Sequence, residues 1–538
     1  MKRYKLICLA TLSGAILSLA WTEWCFGLAL FIGFVPLLFI ENYFDRNKHE
    51  YRSFNVFIYS YLSFFIWNGI STWWIIKATL VGMASAVIFN SLFMATVYWL
   101  YHIVKRMFGS KSGICFFVFL WLSFEYLHLN WELSWPWLNL GNGFAKDNVL
   151  IQWYEYTGIL GGSLWILICN ILIFFIINDI FIKKSFSGIR NKLIVLSFLI
   201  FCPILISLFI YYSYKEKLNP RQLLVIQPNI DPYNEKFSGM TNEEQLDILL
   251  ALANQNTDSS TDFIIGPETA IPTVLWENDI PFSNSYKVLQ KFLSAHSRIR
   301  FILGLSSGKV YRDGELRSET ARKFRNTNMY YDLYNTAMQV DTGRNIQLYH
   351  KSKLVLGVEK MPFPKVLGFL EKYAADLGGT TGSLGIQDEP TVFKSVNDNI
   401  KVGVMICYES IYGEYVTGYV KKGAGFLFVI TNDGWWGDTP GYKQHLHFSQ
   451  LRAVETRRSV ARSANTGISC FIDQRGDLIQ PTKWWTRTAI KNNLNANNKI
   501  TFYTRFGDFI GKLSVIIIGL FLVYSIILKY SKKNLLIL

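Results

Sequence analysis

Three places in this 538-residue chain where a predicted strand ends carry side chains able to do covalent chemistry. Phe263-Ile264-Ile265-Gly266-Pro267 runs into Glu268, followed by Thr269-Ala270. Tyr349-His350 leads to Lys351-Ser352-Lys353, and Glu359 stands eight positions beyond Lys351. Val402-Gly403-Val404-Met405-Ile406 delivers Cys407, with Tyr408-Glu409-Ser410 next. A carboxylate can take a proton as general base. An ammonium can hold the negative charge that develops on an attacked carbonyl oxygen. A cysteine is a nucleophile only as thiolate, and with a free pKa of about 8.5 it needs a base or cation nearby. Each residue alone has a plainer reading: a helix cap or solvated strand end, a surface charge, a small packed side chain. Their shared position, where a predicted strand gives way to a loop, is where layered α/β domains carry their chemistry.

The elements that must position these groups fall between residues 219 and 505. The pattern predicts strands at 223–227, 262–266, 300–305, 334–340, 346–349, 400–406, 425–431 and 468–472, and helices at 241–256, 284–297, 411–422 and 443–463. Strands alternating with helices indicate a layered α/β domain. The polar, Arg- and Lys-rich segment 308–330 reads as an exposed loop, and no repeat of 20–50 residues is evident.

The rest of the chain is different in kind. Hydrophobic residues make up 51% of the whole and charged residues only 17%, against about a quarter in soluble domains. The excess lies in 1–215 and in one run near the C-terminus. About 20 apolar residues cross a bilayer as a helix, and eight runs qualify: 5–21, 25–43, 54–76, 82–104, 112–129, 157–182, 193–213 and 509–530. The first is expected to be retained, because Trp21-Thr22-Glu23-Trp24 is not a small-residue cleavage site. Lys and Arg concentrate in alternate connections: Lys2, Arg3 and Lys5; Arg46, Lys48 and Arg52; Lys105, Arg106 and Lys111; Lys183, Lys184, Arg190 and Lys192; Lys529, Lys532 and Lys533. The intervening connections hold little beyond Lys77 and Lys146. Positive charge marks the cytoplasmic side, so both termini are expected there. The domain between spans seven and eight is expected outside, in the periplasm of a bacterial inner membrane. The expected division is a bundle over 1–215, a catalytic domain over 219–505 and a last span over 509–530.

The net charge of +15 is thus a topology signal; it forms no basic stripe in one soluble domain, and no nucleic-acid partner is expected. Trp131, Trp135, Pro136, Trp137 and Trp153 suit an interfacial aromatic belt or a loop at a lipid entry. Glu125 is an intramembrane acid without an evident role. Of seven cysteines, Cys8, Cys25, Cys115, Cys169 and Cys202 lie in or beside apolar runs, while Cys407 and Cys470 lie in the soluble part; Cys470 reads as packing. No C-x-x-C pair occurs. His445 and His447, two apart on a helix, make a poor metal pair, so neither metal nor cofactor is expected.

Taken together, the motifs resemble the nitrilase superfamily, and within it the membrane-embedded apolipoprotein N-acyltransferase family. Pro267-Glu268-Thr269-Ala270, Lys351 with Glu359, and Ile406-Cys407-Tyr408-Glu409 correspond to that family's glutamate, lysine and nucleophile motifs. Thr431-Asn432-Asp433-Gly434-Trp435-Trp436-Gly437-Asp438, Gln444-His445-Leu446, Arg452-Ala453-Val454-Glu455, Ala464-Asn465-Thr466-Gly467-Ile468-Ser469 and Tyr503-Thr504-Arg505-Phe506-Gly507-Asp508 extend the likeness over essentially the whole chain. One stretch departs: Leu354-Val355-Leu356-Gly357-Val358-Glu359 replaces the family's Leu-Val-Pro-Phe-Gly-Glu, keeping the Lys-to-Glu spacing but not the loop chemistry. Of the two lysines, the spacing selects Lys351 over Lys353.

The resemblance implies an αββα sandwich beside the bundle of eight membrane helices, and a Glu268-Lys351-Cys407 triad. Glu268 would deprotonate the thiol and Lys351 would steady the oxyanion, with the Tyr408 N–H as second donor and Glu359 and Glu409 as positioning groups. It implies a phospholipid, phosphatidylethanolamine above all, as acyl donor, and the N-terminal amine of a diacylglyceryl-modified lipoprotein as acceptor, joined through a thioester on Cys407. Trp435, Trp436 and the 360–385 segment are candidates for shielding that thioester from water. The competing readings are a membrane-tethered amidase acting on a soluble amide with the same triad, a transporter with an accessory domain, and a binding domain with an idle triad.

Overall fold

A computed structural model describes all residues except 1, 25, 183–186, 344–345, 364–382, 395–398 and 536–538. Cys25, Lys183, Lys184 and most of the 360–385 segment therefore lie outside the described residues, as do the side chains of Lys529, Lys532 and Lys533. The chain divides into two compact units, one comprising 1–73, 83–210 and 506–538, the other 74–82 and 211–505.

The first unit is helical: α1 (Arg3–Leu19), α2 (Val35–Arg46), α3 (Phe54–Thr72), α4 (Leu80–Phe108), α5 (Ser110–His128), α6 (Tyr154–Ile177) and α7 (Ile189–Ser213). Among the described residues five helical stretches are long and apolar enough to cross a membrane: Gly27–Arg46, Leu80–Phe108, Tyr154–Phe181, Ile189–Ser213 and Phe509–Ile527. Within this unit Glu125 is fully enclosed and accepts from Trp121 Nε1 (3.0 Å) and the Leu140 N–H (2.8 Å). It thereby pins the Trp-rich loop after α5 to that helix.

The second unit holds two sheets. The first contains β1 (Pro220–Gln227), β2 (Thr261–Ile265), β3 (Ile271–Trp276), β4 (Arg300–Val310), β5 (Arg322–Lys323), β6 (Tyr330–Val340), β7 (Gln347–His350) and, from the far end of the domain, the strand Thr488–Asn495. The second contains β8 (Val392–Phe393), β9 (Lys401–Ile406), β10 (Ala424–Thr431), β11 (Ser459–Ala464), β12 (Cys470–Ile472) and β13 (Leu478–Ile479). Thr488–Asn495 is therefore β14, and the first sheet runs β14-β1-β2-β4-β6-β5, with β3 on β4 and β7 on β6. The second runs β13-β12-β11-β10-β9-β8.

Strand alternation builds the layers. Leu223, Val225, Phe263 and Ile265 pack with Val402, Val404, Phe426 and Phe428 in the core between the sheets. Leu224, Ile226 and Ile264 face the other way, onto α8 (Asn242–Asn256) and α9 (Asn284–Ser294) through Leu246, Leu249, Leu289 and Leu293. On the far sheet α10 (Gly413–Lys421) and α11 (Pro440–Thr456) contribute Val416, Tyr419, Leu446 and Ala453. Helix, sheet, sheet and helix give the αββα sandwich. A short α12 (Phe502–Phe506) precedes α13 (Phe509–Leu535).

The predicted helix 443–463 is corrected: α11 stops at Thr456, Arg457 turns left-handed at φ 51°, and Ser459–Ala464 is a fully buried strand. Buried Arg458 and Arg462 masked that strand, because their charges broke its apolar run. Strand β3 is hidden by Pro272 and Thr273 near its start, and β14 by its polar stretch Lys491-Asn492-Asn493.

Candidate active site

Each of the three chemically competent side chains sits at a strand end because the backbone changes course there. After β2, Gly266 continues the ladder by donating to the Ile302 carbonyl, and the Gly304 N–H binds the Pro267 carbonyl. A Cβ on Gly304 would lie 2.7 Å from Glu268 Cα, so glycine lets the peptide of Glu268 rest on β4. Lys351 follows β7, its N–H held by the Asn335 carbonyl of β6 at 2.8 Å. Cys407 follows β9 at φ 51°, a left-handed turn that lifts the thiol out of the strand and costs a non-glycine residue strain. All three are at least nine-tenths buried.

The turns bring the groups together. Lys351 Nζ donates to Glu268 Oε1 at 3.2 Å and to Glu359 Oε1 at 2.8 Å. Asn335 Nδ2 donates to the same two oxygens, at 2.8 and 2.9 Å. Two carboxylates are thus clamped by one ammonium and one amide. Burial opposes the Lys351 charge, but Glu359 and Glu268 overcome it and hold the ammonium well above the usual lysine range. Burial and the Glu268 charge push the Cys407 thiol well above its usual value, with Lys351 pulling the other way. The thiol is therefore protonated at rest.

Glu359 reaches the site despite the altered loop before it. Its second oxygen accepts from the Val355 N–H at 2.8 Å and its own N–H binds the Val355 carbonyl at 2.9 Å. Gly357, at φ 77°, permits the turn between them. Lys353 is directed elsewhere, over the rings of Tyr412 and Tyr415 at 5.2 and 5.5 Å. Glu409 braces two strand ends: it accepts from Tyr349 Oη (2.5 Å), the Ser352 N–H (2.7 Å) and the Ile406 N–H (2.8 Å). Burial pushes its carboxyl up to about 7 against those donors. Tyr408 is the second residue of the 3-10 turn Cys407–Ile411, its ring 5.4 Å from Tyr412.

Behind the thiol lies a second buried network. His445 Nε2 contacts the Cys407 carbonyl at 3.0 Å and Ser410 Oγ at 3.0 Å, and its Nδ1 meets Asp433 Oδ1 at 2.9 Å. Arg462 Nη2 binds Asp433 Oδ2 at 2.5 Å. Burial works against the Asp433 charge, yet Arg462 and His445 hold its carboxyl down at about 2. Ligand atoms of Cys407, Asp433 and His445 lie within 4.8 Å of one another, a spacing a metal ion could use. The imidazole and carboxylate are already committed to partners, so such a site would have to break this network.

Trp435 stacks on Phe237 (5.9 Å) and meets Tyr233 edge-on (5.2 Å). Trp436 lies 4.8 Å from Trp74 and 5.4 Å from His445. Trp74 in turn donates to Gln444 Oε1 at 3.2 Å. Asp433 lies in a motif named above without a role, and Asn335, Arg462, Trp74 and Lys236 are not evident from the sequence. The signals were there for Asn335, an amide inside an apolar strand, and for Arg462, a charge in the segment read as helix; Trp74 and Lys236 have none without the fold.

Comparison with known proteins follows the same lines. The family model described as carbon-nitrogen hydrolase matches residues 225–498, and the one described as apolipoprotein N-acyltransferase N-terminal domain matches 13–172. An apolipoprotein N-acyltransferase of Chlorobaculum tepidum is 28% identical, over 97% of this chain and 96% of that one. One from Geobacter metallireducens is 27% identical over 93% and 91%, and one from Thermotoga maritima 25% over 95% and 92%.

Proposed function

Because the chain belongs to the carbon–nitrogen hydrolase family and aligns end to end with curated apolipoprotein N-acyltransferases, we propose that it moves a fatty acyl chain from a phospholipid to the N-terminal amine of a lipid-modified lipoprotein. The observation that carries the mechanism is the Glu268–Lys351–Glu359 cluster acting on the buried Cys407 thiol.

In the first half-reaction Glu268 takes the thiol proton as sulfur attacks the donor's ester carbonyl. The ester π electrons move onto oxygen, where Lys351 and the Tyr408 N–H face the charge. Collapse expels the lysophospholipid alkoxide, which takes the proton from Glu268 and leaves a thioester. In the second, the lipoprotein's α-amine attacks the thioester and gives a proton to Glu268. The thiolate departs and recovers that proton. The sequence is ping-pong. Glu359 and Asn335 fix Glu268 and Lys351, Glu409 aligns the strand ends, and Trp435 and Trp436 keep water from the thioester.

Substrates carried by a membrane explain why the catalytic domain comes with apolar helices. The charge alternation supports eight spans, 1–215 as the bundle, 219–505 as a periplasmic catalytic domain, 509–530 as the last span, and both termini in the cytoplasm of a bacterial inner membrane. The test is intact-protein mass spectrometry after mixing with phosphatidylethanolamine: one acyl mass on Cys407, absent in Cys407→Ala. Acyl transfer by a folded Cys407→Ala protein would end the reading.

A further inference from the structure

The site holds one more ammonium than the mechanism uses. Lys236 lies on the loop between β1 and α8, with 1% of its surface exposed. The loop is locked: the Lys236 N–H binds the Asp231 carbonyl at 2.9 Å, and Gln245 Nε2 of α8 binds the Lys236 carbonyl at 2.7 Å. Among the described residues its side chain makes a single long hydrogen bond, Nζ to the Glu268 carbonyl at 3.5 Å. An ammonium this enclosed normally has a carboxylate or several acceptors around it. We propose that Lys236 is a positioning residue for acylation, whose ammonium balances the second carboxylate of the site and holds the strand-end peptide of Glu268.

Counting charges supports this assignment. Glu268 and Glu359 bring two negative charges and Lys351 one positive, leaving an unbalanced negative charge beside the thiol that has to ionise. A like charge disfavours that ionisation, and the Lys236 ammonium cancels it. Among the described residues the surrounding groups leave Glu268 as its electrostatic partner. On its own loop, Asp231 accepts from the Tyr233 N–H and Asn234, and Glu235 accepts from the Asp231 N–H. The helix packed on the loop presents neutral Gln245. Lys351, Glu359 and Cys407 act through Glu268. Burial lowers the Lys236 ammonium to about 8, with Glu268 opposing, so this charge is lost just above neutrality.

The inference rests on the acyl-transfer reading, and acyl-enzyme formation is the step to watch because no acceptor amine titrates in it. Its rate is followed from pH 6 to 10 by Cys407 adduct mass, with the full-length protein and phosphatidylethanolamine vesicles. Wild type is expected to slow above about pH 8. Lys236→Arg, charged throughout, should carry that fall at least one pH unit higher. Lys236→Met should be slower on the order of tenfold at pH 7 and lose the fall, because the excess negative charge is then permanent. A wild-type rate that stays flat from pH 8 to 10 overturns the proposal without any variant. So does a Lys236→Met protein at wild-type rate, or an alkaline fall at the same pH in both variants. Wild type that forms no adduct at all overturns the acyl-transfer reading instead.

Discussion

Asn335→Ala removes the amide that bridges Glu268 and Glu359 while leaving the backbone carbonyl that holds the Lys351 N–H. Both lost contacts, at 2.8 and 2.9 Å, end on carboxylate oxygens. A hydrogen bond to a charged group contributes about 1.5–3 kcal/mol, so the pair has a gross value of roughly 3–6 kcal/mol on the same scale. Water can enter the space and recover about half, leaving about 1.5–3 kcal/mol. If that energy fixes Glu268 in the geometry proton transfer needs, acylation slows by roughly 10- to 150-fold. The assay is the single-turnover rate of adduct formation on Cys407 from phosphatidylethanolamine. Asn335→Asp, which replaces a donor with a third carboxylate, should be slower than Asn335→Ala. An alanine variant within twofold of wild type would show that Lys351 alone organises the two acids.

Three further outcomes follow from the surroundings. Glu409 is a buried acid whose carboxyl sits near 7 in the folded protein, so folding favours its protonated form. Its ionisation therefore costs stability as pH rises from about 4.5 to 7, on the order of 3 kcal/mol in total. Glu409→Gln does not ionise, so across that window the unfolding free energy of the variant should gain on wild type by that order; a constant difference in denaturant titrations counts against it. Arg462→Met removes the guanidinium paired with a fully buried Asp433, which should lower stability by about 3–5 kcal/mol and slow acylation as His445 loosens; an unchanged melting temperature refutes this. Gly441→Ala places a Cβ 2.5 Å from Trp74 Cδ2. It should break the Trp74–Gln444 bond and destabilise by about 1–3 kcal/mol, read from melting temperature and tryptophan fluorescence.

What could be read from the sequence divides along physical lines. Glu268 and Cys407 are legible because each ends an apolar run, a boundary that survives in one dimension, and Lys351 through its motif spacing. Glu359 was legible through its spacing from Lys351, since the loop between them is closed by its own backbone. Asn335 and Lys236 were not, because their meaning is a contact across 67 and 32 residues of chain. Strand β11 was lost to two arginines: Arg458 satisfies the Ala424, Thr456 and Lys499 carbonyls, and Arg462 binds Asp433. Buried charges look like surface in a sequence when their partners lie elsewhere. Trp74 falls at the end of the apolar run 54–76 and reads as part of a membrane span, yet the segment 74–82 belongs to the same compact unit as Cys407.

The resting thiol constrains how the site can work. Burial and Glu268 hold Cys407 protonated while Lys351 is engaged by two carboxylates, so no standing thiolate waits for substrate. The proton has to leave as the carbonyl arrives, when the growing negative charge moves from Glu268 toward sulfur and then oxygen. Lys351 can follow that charge with little movement, because Glu359 continues to hold it as Glu268 is neutralised. The second carboxylate thereby keeps the ammonium in place through both half-reactions. That need explains why Glu359 stays bonded to Lys351 even though the loop that carries it has changed its chemistry.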